Sequence, residues 1–230
     1  MAWRESAKER AAVEAVKLVK DGFVLGIGAG STVAYALREI GRKIKEEYFH
    51  VSVVSASSQT SKLAREYGIP LTSLDEHLQL DLDIDGADQI DEKLNLIKGM
   101  GGALTREKIV ASASKTFVVI GDESKLTDAL GKNQPLPVEV LPFALPFVTS
   151  KIRKIGGQPV LKKSSLGSPF ITDNGNYVLN VDFGVIKNPL RLDRKLKSLP
   201  GVVETGLFLG MADVAIVGTK TGIKVIRKKQ

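Results

Sequence analysis

The sequence predicts an α/β fold: a mainly parallel open sheet with helices on both faces, plus an inserted smaller α+β domain of ferredoxin-like order. Three observations predict it. Short apolar segments at 23–27, 51–55, 81–85, 94–97 and 116–121 have strand length, and helical spacing fills several of the gaps between them. A glycine-rich turn joins the first of these strands to a helix, the arrangement of sheets that place ligands at their carboxyl edge. From about Thr127 the texture changes to β-α-β-β-α-β, the split βαβ order.

In chain order, residues 1–21 carry one amphipathic helix, charged throughout Met1 to Arg10. Phe23-Val24-Leu25 then runs as a strand into Gly26-Ile27-Gly28-Ala29-Gly30-Ser31-Thr32. Beyond it Val33, Ala36, Leu37, Ile40 and Ile44 recur at helical spacing. Strand, glycine loop and helix in this order build an anion site, because free backbone N–H groups and the positive end of the helix dipole converge there. Ser31 and Thr32 add hydroxyl donors. A plain tight turn is the other reading of such a loop. It holds no Gly-Lys-Ser/Thr and lacks the third glycine of G-x-G-x-x-G, so it is neither a Walker A loop nor a dinucleotide fingerprint.

The run from Asp81 to Lys108 concentrates the chemistry. Asp81 to Asp85 alternate polar and apolar, the pattern of a strand with one buried face. Gly86 and Ala87 let the chain turn tightly, so Asp85 and Asp88 fall at the strand's carboxyl end. After the apolar stretch Leu94 to Ile97, Lys98-Gly99-Met100-Gly101-Gly102 offers one charge and a backbone that a ligand can approach closely. Ala103 to Ser114 reads as a helix, with Ala103, Leu104, Ile109, Val110 and Ala113 on its apolar face and Glu107 near its first turn. Taken singly, the aspartates read as turn formers and Glu107 as a glutamate favoured by a helix start. Asp81, Asp83, Asp85, Gly86 and Glu92 also satisfy the calcium-loop expression. That loop needs a helix on each side, and Pro70 upstream and Gly99, Gly101 and Gly102 downstream break both.

In the second half, a strand at Leu136 to Val140, a helix through Val148 to Ile155 and a strand at Pro159 to Leu161 are followed by a hairpin closed at Asp173-Asn174-Gly175. A helix from Pro189 to Ser198 and a strand from Val202 to Thr205 complete the inserted domain. Strands at Val214 to Gly218 and Ile223 to Ile226 return to the first sheet. The expected division is a catalytic domain of residues 1–126 and 206–230 and a small domain of 127–205. Assembly is the expected role of the small domain, with its strands Leu136 to Val140 and Tyr177 to Phe183 pairing between subunits.

Composition narrows the class. With 230 residues, 43% of them hydrophobic, the chain can bury a sizeable core. It has no Cys, and its two histidines, His50 and His77, follow no metal-ligand spacing, so no metal is expected. No apolar run approaches the roughly 20 residues of a membrane span, and the charged first residues lack a signal peptide's apolar core, so a cytoplasmic location and no membrane partner are expected. The net charge of +7 and pI near 9.5 raise the question of nucleic acid. Basic residues cluster in Lys151 to Lys163, Lys187 to Lys197 and Arg227 to Lys229, yet aromatics are only 6% and do not interleave with them. A solvated face that attracts anionic sugar phosphates is expected instead, with no nucleic-acid partner.

Gly28 to Thr32, Asp85-Gly86-Ala87-Asp88, Lys98 to Lys108, Gly121 to Lys125, Pro137 to Val140 and Thr172 to Asn176 together resemble ribose-5-phosphate isomerase of the A type, over essentially the whole chain. That family commonly has Thr-Gly-Ser-Thr where this chain has Ala29-Gly30-Ser31-Thr32, and a third consecutive glycine where Met100 stands. Ala29 and Met100 are therefore expected to act through the backbone alone. The resemblance implies interconversion of ribose 5-phosphate and ribulose 5-phosphate through an enediolate, with Glu107 as the base, Lys98 facing the enediolate charge, and Asp85 and Asp88 on sugar hydroxyls. Asp85 would open the furanose ring. The phosphate would rest on Gly30, Ser31 and Thr32, with Lys125 reaching across; this mechanism requires no cofactor. Lys8, on the first amphipathic helix, would add a charge there by its position alone, with no motif behind it. Gly86, Ala87, Gly99 and Gly101 complete the implied substrate-binding set, and a homodimer or homotetramer is implied. Two other classes stand beside it: a sugar-phosphate-binding regulatory domain of the same fold, and a CoA-transferase-like or nicotinamide enzyme.

Overall fold

The computed structural model describes residues 2–228; Met1, Lys229 and Gln230 lie outside it. Alternation along neighbouring strands sets the architecture. In β1 (Val24–Ile27), β3 (Leu82–Gly86) and β6 (Phe117–Asp122), the pairs Leu25 and Ile27, Leu82 and Ile84, and Val118 and Ile120 enter one core. Against that face pack Ala11, Ala12 and Ala15 of α1 (Ala2–Val16) and Val33, Ala36, Leu37 and Ile40 of α2 (Ser31–Glu47). Each fully buried Leu or Ile contributes roughly 1.5–3 kcal/mol relative to exposure. Ala64 of α3 (Ser58–Glu66) joins the same cluster. On the opposite face, Val24 of β1 and Val54 of β2 (Ser52–Ser55) join one cluster with Val110 and Ala113 of α4 (Leu104–Ala113). Helices therefore cover both faces.

The six-stranded sheet has the order β13-β12-β6-β3-β1-β2, with β12 at Val214–Gly218 and β13 at Ile223–Arg227. All its pairings are parallel except that of the edge strand β13 with β12. The chain divides into two compact units, and this sheet belongs to the first, made of residues up to Ala87, Arg106–Leu126 and those from Gly210 onward.

The second unit comprises Asp88–Thr105 and Thr127–Leu209. It contains an antiparallel sheet of β7 (Leu136–Val140), β8 (Gln158–Leu161), β9 (Tyr177–Asp182) and β10 (Val202–Thr205) in the order β10-β7-β9-β8. With α5 (Leu145–Lys154) after β7 and α6 (Pro189–Lys197) after β9, the chain follows the ferredoxin-like order anticipated from its pattern. Val138, Val140, Leu179 and Val181 form its core with Val148, Ile152 and Leu196. The order corrects one expectation: β7 and β9 are the inner strands, already paired on both sides, so they cannot pair between subunits.

A third, three-stranded sheet lies wholly in the second unit: β4 (Gln89–Ile90), β5 (Leu96–Ile97) and β11 (Leu207–Phe208), ordered β11-β5-β4 and antiparallel. The strand expected over 94–97 in the parallel sheet is thus a two-residue strand elsewhere. The physical reason is the turn before it. Asp91 Oδ1 accepts from the N–H groups of Lys93 and Asn95, each at 2.8 Å, and Leu94 turns with φ 59°, closing a β4–β5 hairpin. Residues 88–105 accordingly sit in the second unit, where sequence had assigned them to the first.

Candidate active site

At the carboxyl edge of the parallel sheet, β1 and β3 are neighbours in register, Ile27 beside Ile84. Beyond them the Gly28 N–H donates to the Ile84 carbonyl at 3.1 Å, so the glycine loop grows directly out of the β3 pairing. The Ala29 N–H then donates to Asp85 Oδ1 at 3.2 Å, and Asp85 itself is fully buried. Gly30, with φ 111° and ψ 177°, caps α2 without a side chain, leaving the first turn of a 17-residue helix to begin at Ser31. Only glycine adopts that conformation readily. Thr32 is buried in the first turn of α2, and Ser31 is exposed.

Two lysines come to this edge from other elements. The Lys8 ammonium of α1 lies 3.3 Å from Ser31 Oγ while paired with Glu5 at 2.8 Å. Lys125 stands in the single 3₁₀ turn Glu123–Lys125 that follows β6, a turn capped by Asp122 Oδ1 accepting from the Ser124 N–H at 3.0 Å. Its aliphatic stem runs along Gly121: a Cβ there would meet Lys125 Cγ at 3.3 Å. Gly86 ends β3 beside β6, paired with Ile120, and Ala87 closes the first unit's share of this run. Two positive charges, hydroxyls and helix-start amides together suit a phosphate.

The face of β3 opposite the main core carries Asp83 and Asp85, both fully buried. α4 covers that face. A Cβ on Gly26 would lie 2.5 Å from Val110 Cγ1 and 3.0 Å from Asp83 Oδ1, so helix and strand approach closely only because Gly26 has no side chain. The buried stripe of α4 is Leu104, Glu107, Val110 and Ala111, at the i, i+3, i+6 and i+7 spacing of one helix face. Glu107 occupies a place that an apolar residue would ordinarily take. Ile109, expected on that face, points away and is 49% exposed, since it stands half a turn from Glu107 and Ala111. A buried carboxylate in the stripe of a helix that packs on the sheet costs stability unless polar groups receive it, so chemistry rather than packing accounts for its place.

In the second unit the β4–β5 hairpin sets Asp88 beside Met100. The Asp88 N–H donates to the Ile97 carbonyl at 2.8 Å, and the Met100 N–H donates to Asp88 Oδ2 at 3.0 Å. Lys98 follows β5, almost fully buried, with its ammonium 5.4 Å from the Phe208 ring centroid and its N–H on the Gly206 carbonyl at 2.9 Å. In the glycine cluster after it, Gly99 and Gly102 have φ of 103° and 92°, whereas Met100 does not have a positive φ. That is why position 100 accepts a side chain. Gly101 is exposed, with open space around it.

Lys162 also belongs to this half, and sequence missed it. It lies in the basic stretch read as a solvated face, yet it is partly buried, donates to the Met100 carbonyl, and packs 4.5 Å from the Phe170 ring centroid. Burial pulls its ammonium below the usual lysine range, with the Asp88 charge opposing. Phe170 in turn fills the space beside Gly102. Asp83 was placed in the alternating strand and in the calcium expression but given no site role; sharing the face of Asp85 in the D-x-D alternation marks it as a second buried carboxylate. Thr60, which donates to the Gly28 carbonyl at 2.8 Å, carried no signal.

The calcium-loop residues form β3 and the turn after β4 instead of a loop between two helices. Among the described residues no group of three or more His, Cys, Asp or Glu could hold a metal ion. No helix among them is long and apolar enough to cross a membrane.

Comparison with known proteins bears on the whole chain. The profile of ribose 5-phosphate isomerase A (phosphoriboisomerase A) matches residues 52–222. The chain is 47% identical to ribose-5-phosphate isomerase A of Thermomicrobium roseum over 227 residues, covering 98% of this chain and 95% of the relative. It is 49% identical to that of Methanosarcina acetivorans over 228 residues, covering 98% and 97%. Among solved structures, ribose 5-phosphate isomerase A of Methanocaldococcus jannaschii superposes with a TM-score of 0.94 at 45% identity, over 97% of this chain and 99% of that one. A D-ribose-5-phosphate isomerase in complex with phospho-erythronic acid superposes with a TM-score of 0.95 at 40% identity, over 97% and 99%. Buried carboxylates at the carboxyl edge of a parallel sheet, beside an uncapped helix start, are thus found in a chain that belongs to the ribose 5-phosphate isomerase A family.

Proposed function

We propose that this chain interconverts ribose 5-phosphate and ribulose 5-phosphate, the aldose–ketose isomerisation of its family in the pentose phosphate pathway, with Glu107 as the base that moves the proton. The observation that carries this reading is the buried Glu107, set into the stripe of α4 whose Val110 approaches Asp83 of β3 beside Gly26. The regulatory reading finds no support in the relatives.

The roles follow from the chemistry of the reaction. A proton leaves the carbon beside the carbonyl and returns to the neighbouring carbon, so one base must reach both. Glu107 takes and returns it. The oxygen that gains charge in the enediolate needs a fixed cation, and Lys98 supplies it. Asp85 accepts and returns the hydroxyl proton that opens the furanose ring, and Asp88 holds a sugar hydroxyl. The phosphate rests on the N–H and hydroxyl groups of Gly30, Ser31 and Thr32, with Lys125 and Lys8 balancing its charge. Backbone groups of Ala29, Gly86, Ala87, Gly99, Met100 and Gly101 line the substrate. A relative's complex with phospho-erythronic acid supports a site for phosphorylated sugars of this size. No metal or cofactor enters the scheme. We infer further that the chain assembles as a homodimer or homotetramer and works in the cytoplasm.

The test is direct. Purified protein, treated with excess EDTA and then freed of it, is given ribose 5-phosphate, and ribulose 5-phosphate is followed over time. Full turnover is expected; no conversion would overturn the reading, and a loss restored by calcium or magnesium would overturn the metal-free mechanism.

A further inference from the structure

Among the described residues the buried carboxylates Asp83, Asp122 and Glu139 take no part in this scheme, and Glu139 is the one whose bonds lead toward it. Glu139, in the middle of β7, is fully buried. Its Oε1 accepts from Thr172 Oγ1 at 2.9 Å, Asn176 Nδ2 at 2.9 Å and Asn174 Nδ2 at 3.1 Å. Its Oε2 accepts from Thr105 Oγ1 at 2.5 Å. A buried carboxylate is costly unless such donors surround it, and an apolar residue would often hold a core as well. What the charge provides here is direction. Three donors come from the 172–176 turn and fix the carboxylate; the fourth comes from the first turn of α4, two residues before Glu107.

The same strand also braces the neighbour of Lys98. The Pro137 carbonyl accepts from the Gly206 N–H at 2.7 Å, and the Gly206 carbonyl accepts from the Lys98 N–H at 2.9 Å. No side chain fits between them, since a Cβ on Gly206 would lie 2.2 Å from the Lys98 carbonyl oxygen. β7 thus holds Thr105, in the first turn of α4, through Glu139, and through Pro137 it holds Gly206, whose carbonyl in turn accepts from the Lys98 N–H.

We propose that Glu139 is a positioning residue for the isomerisation: through Thr105 it fixes the first turn of α4 and with it the placement of the Glu107 carboxylate. The inference rests on Glu107 being the base. A base that must serve two adjacent carbons tolerates little displacement, and a misplacement of about 1 Å can cost on the order of 100-fold in rate. Stability alone would be served equally by every arm of the network, so the arms can be set against one another.

Thr105→Val removes the hydroxyl at constant shape, Thr105→Ser restores it, and Asn174→Ala cuts an arm that leads only to the turn. Steady-state kinetics are measured well below each variant's melting temperature. Thr105→Val is expected to lose about 10-fold or more in kcat with KM nearly unchanged, Thr105→Ser to recover most of it, and Asn174→Ala to melt earlier while keeping its kcat. Should Thr105→Val fail to fold, Glu139→Gln, which keeps volume, takes its place with the same expected split. Equal kcat in wild type and Thr105→Val, or equal losses of kcat in Thr105→Val and Asn174→Ala, would overturn the proposal. Glu107→Gln, assayed alongside, separates the two readings. If it stays active, the base is misassigned; if it is dead while Thr105→Val is normal, only the role of Glu139 falls.

Discussion

The carboxylate of Asp85 occupies the space that a β-carbon on Gly28 would need: an added Cβ would lie 1.7 Å from Asp85 Cγ and 1.8 Å from its Oδ1. Gly28 is therefore a glycine for lack of room, unlike Gly30, which has open space around it and is a glycine for its φ of 111°. Gly28 makes way for the carboxylate proposed to open the sugar ring, and Gly30 sets the helix start. Gly28→Ala should displace Asp85 and break its contact with the Ala29 N–H, at a cost of about 1–3 kcal/mol for overpacking. Ring opening should suffer more than isomerisation. Comparing the variant on ribose 5-phosphate and on the open-chain ribulose 5-phosphate checks this, and equal rates to wild type in both directions would sink the proposed role of Asp85.

Asp81 gives the fold a pH-dependent element away from the chemistry. Its carboxylate accepts from Lys115 Nζ at 2.8 Å and from the Val24 N–H at 2.9 Å, and these two bonds, Lys115 foremost, hold its pKa below the ordinary aspartate value. A depressed folded-state pKa means that the stabilisation is present above the unfolded value of about 3.9 and fades as pH falls through the lower, folded one. Because Lys115 is half exposed, solvent screening limits the effect to about 0.5–1 kcal/mol. Urea denaturation of wild type and Asp81→Asn should differ by that amount at neutral pH and converge toward pH 3. A gap that stayed constant with pH would contradict the assignment.

The second unit exposes large apolar side chains on one stretch of chain: Phe143 is 99% exposed, with Leu141 and Phe147 nearly half exposed. A monomer gains nothing from them. With β7 and β9 internal, these side chains, before and within α5, are the better candidates for a subunit contact, and Phe143→Glu should weaken assembly without unfolding the chain. Light scattering should give a dimer or tetramer for wild type and a smaller species for the variant. A wild-type chain that is monomeric and fully active at assay concentration would refute the assembly role.

How much of this was legible beforehand depended on range. The parallel sheet was readable because each strand, such as Leu25 with Ile27 or Val118 with Ile120, announces itself within a few residues, and the ferredoxin-like order because its elements come in sequence. The 94–97 segment was misplaced because its partner, β11, lies more than a hundred residues away, and because the Leu94 turn depends on Asp91 accepting from backbone groups. Ile109 was put on the wrong face because a hydrophobicity count cannot see a glutamate taking a core position. Lys162 was hidden by its neighbours: in a basic stretch nothing local marks the one lysine that folds inward onto Met100 and Phe170. The catalytic candidates on β3 and α4 were legible as a motif, while their supports, Thr60 and Thr105, appear only once the strands are in register.

The reaction itself is best tested by three substitutions whose effects should separate. Glu107→Gln keeps shape and hydrogen-bonding capacity and removes only the group proposed to carry the proton, so it should abolish turnover while substrate binding stays nearly intact. General bases typically contribute about 10²–10⁴-fold, and a carbon acid with no alternative base should lie at or beyond the upper end. Lys98→Met keeps the buried stem and removes the charge. In the proposed scheme that charge meets an oxygen that becomes negative only as the proton leaves, so kcat should fall by on the order of 10²-fold with KM little changed. Thr32, in the first turn of α2, is proposed to hold a phosphate that is the same in substrate and transition state, so in Thr32→Ala KM should rise several-fold and kcat should hold. Steady-state kinetics in both directions, with substrate affinity of Glu107→Gln measured by calorimetry, distinguish these outcomes. Should Glu107→Gln keep more than about a tenth of wild-type turnover, the glutamate is a bystander in the α4 stripe, and the base has to be sought among the buried aspartates of β3.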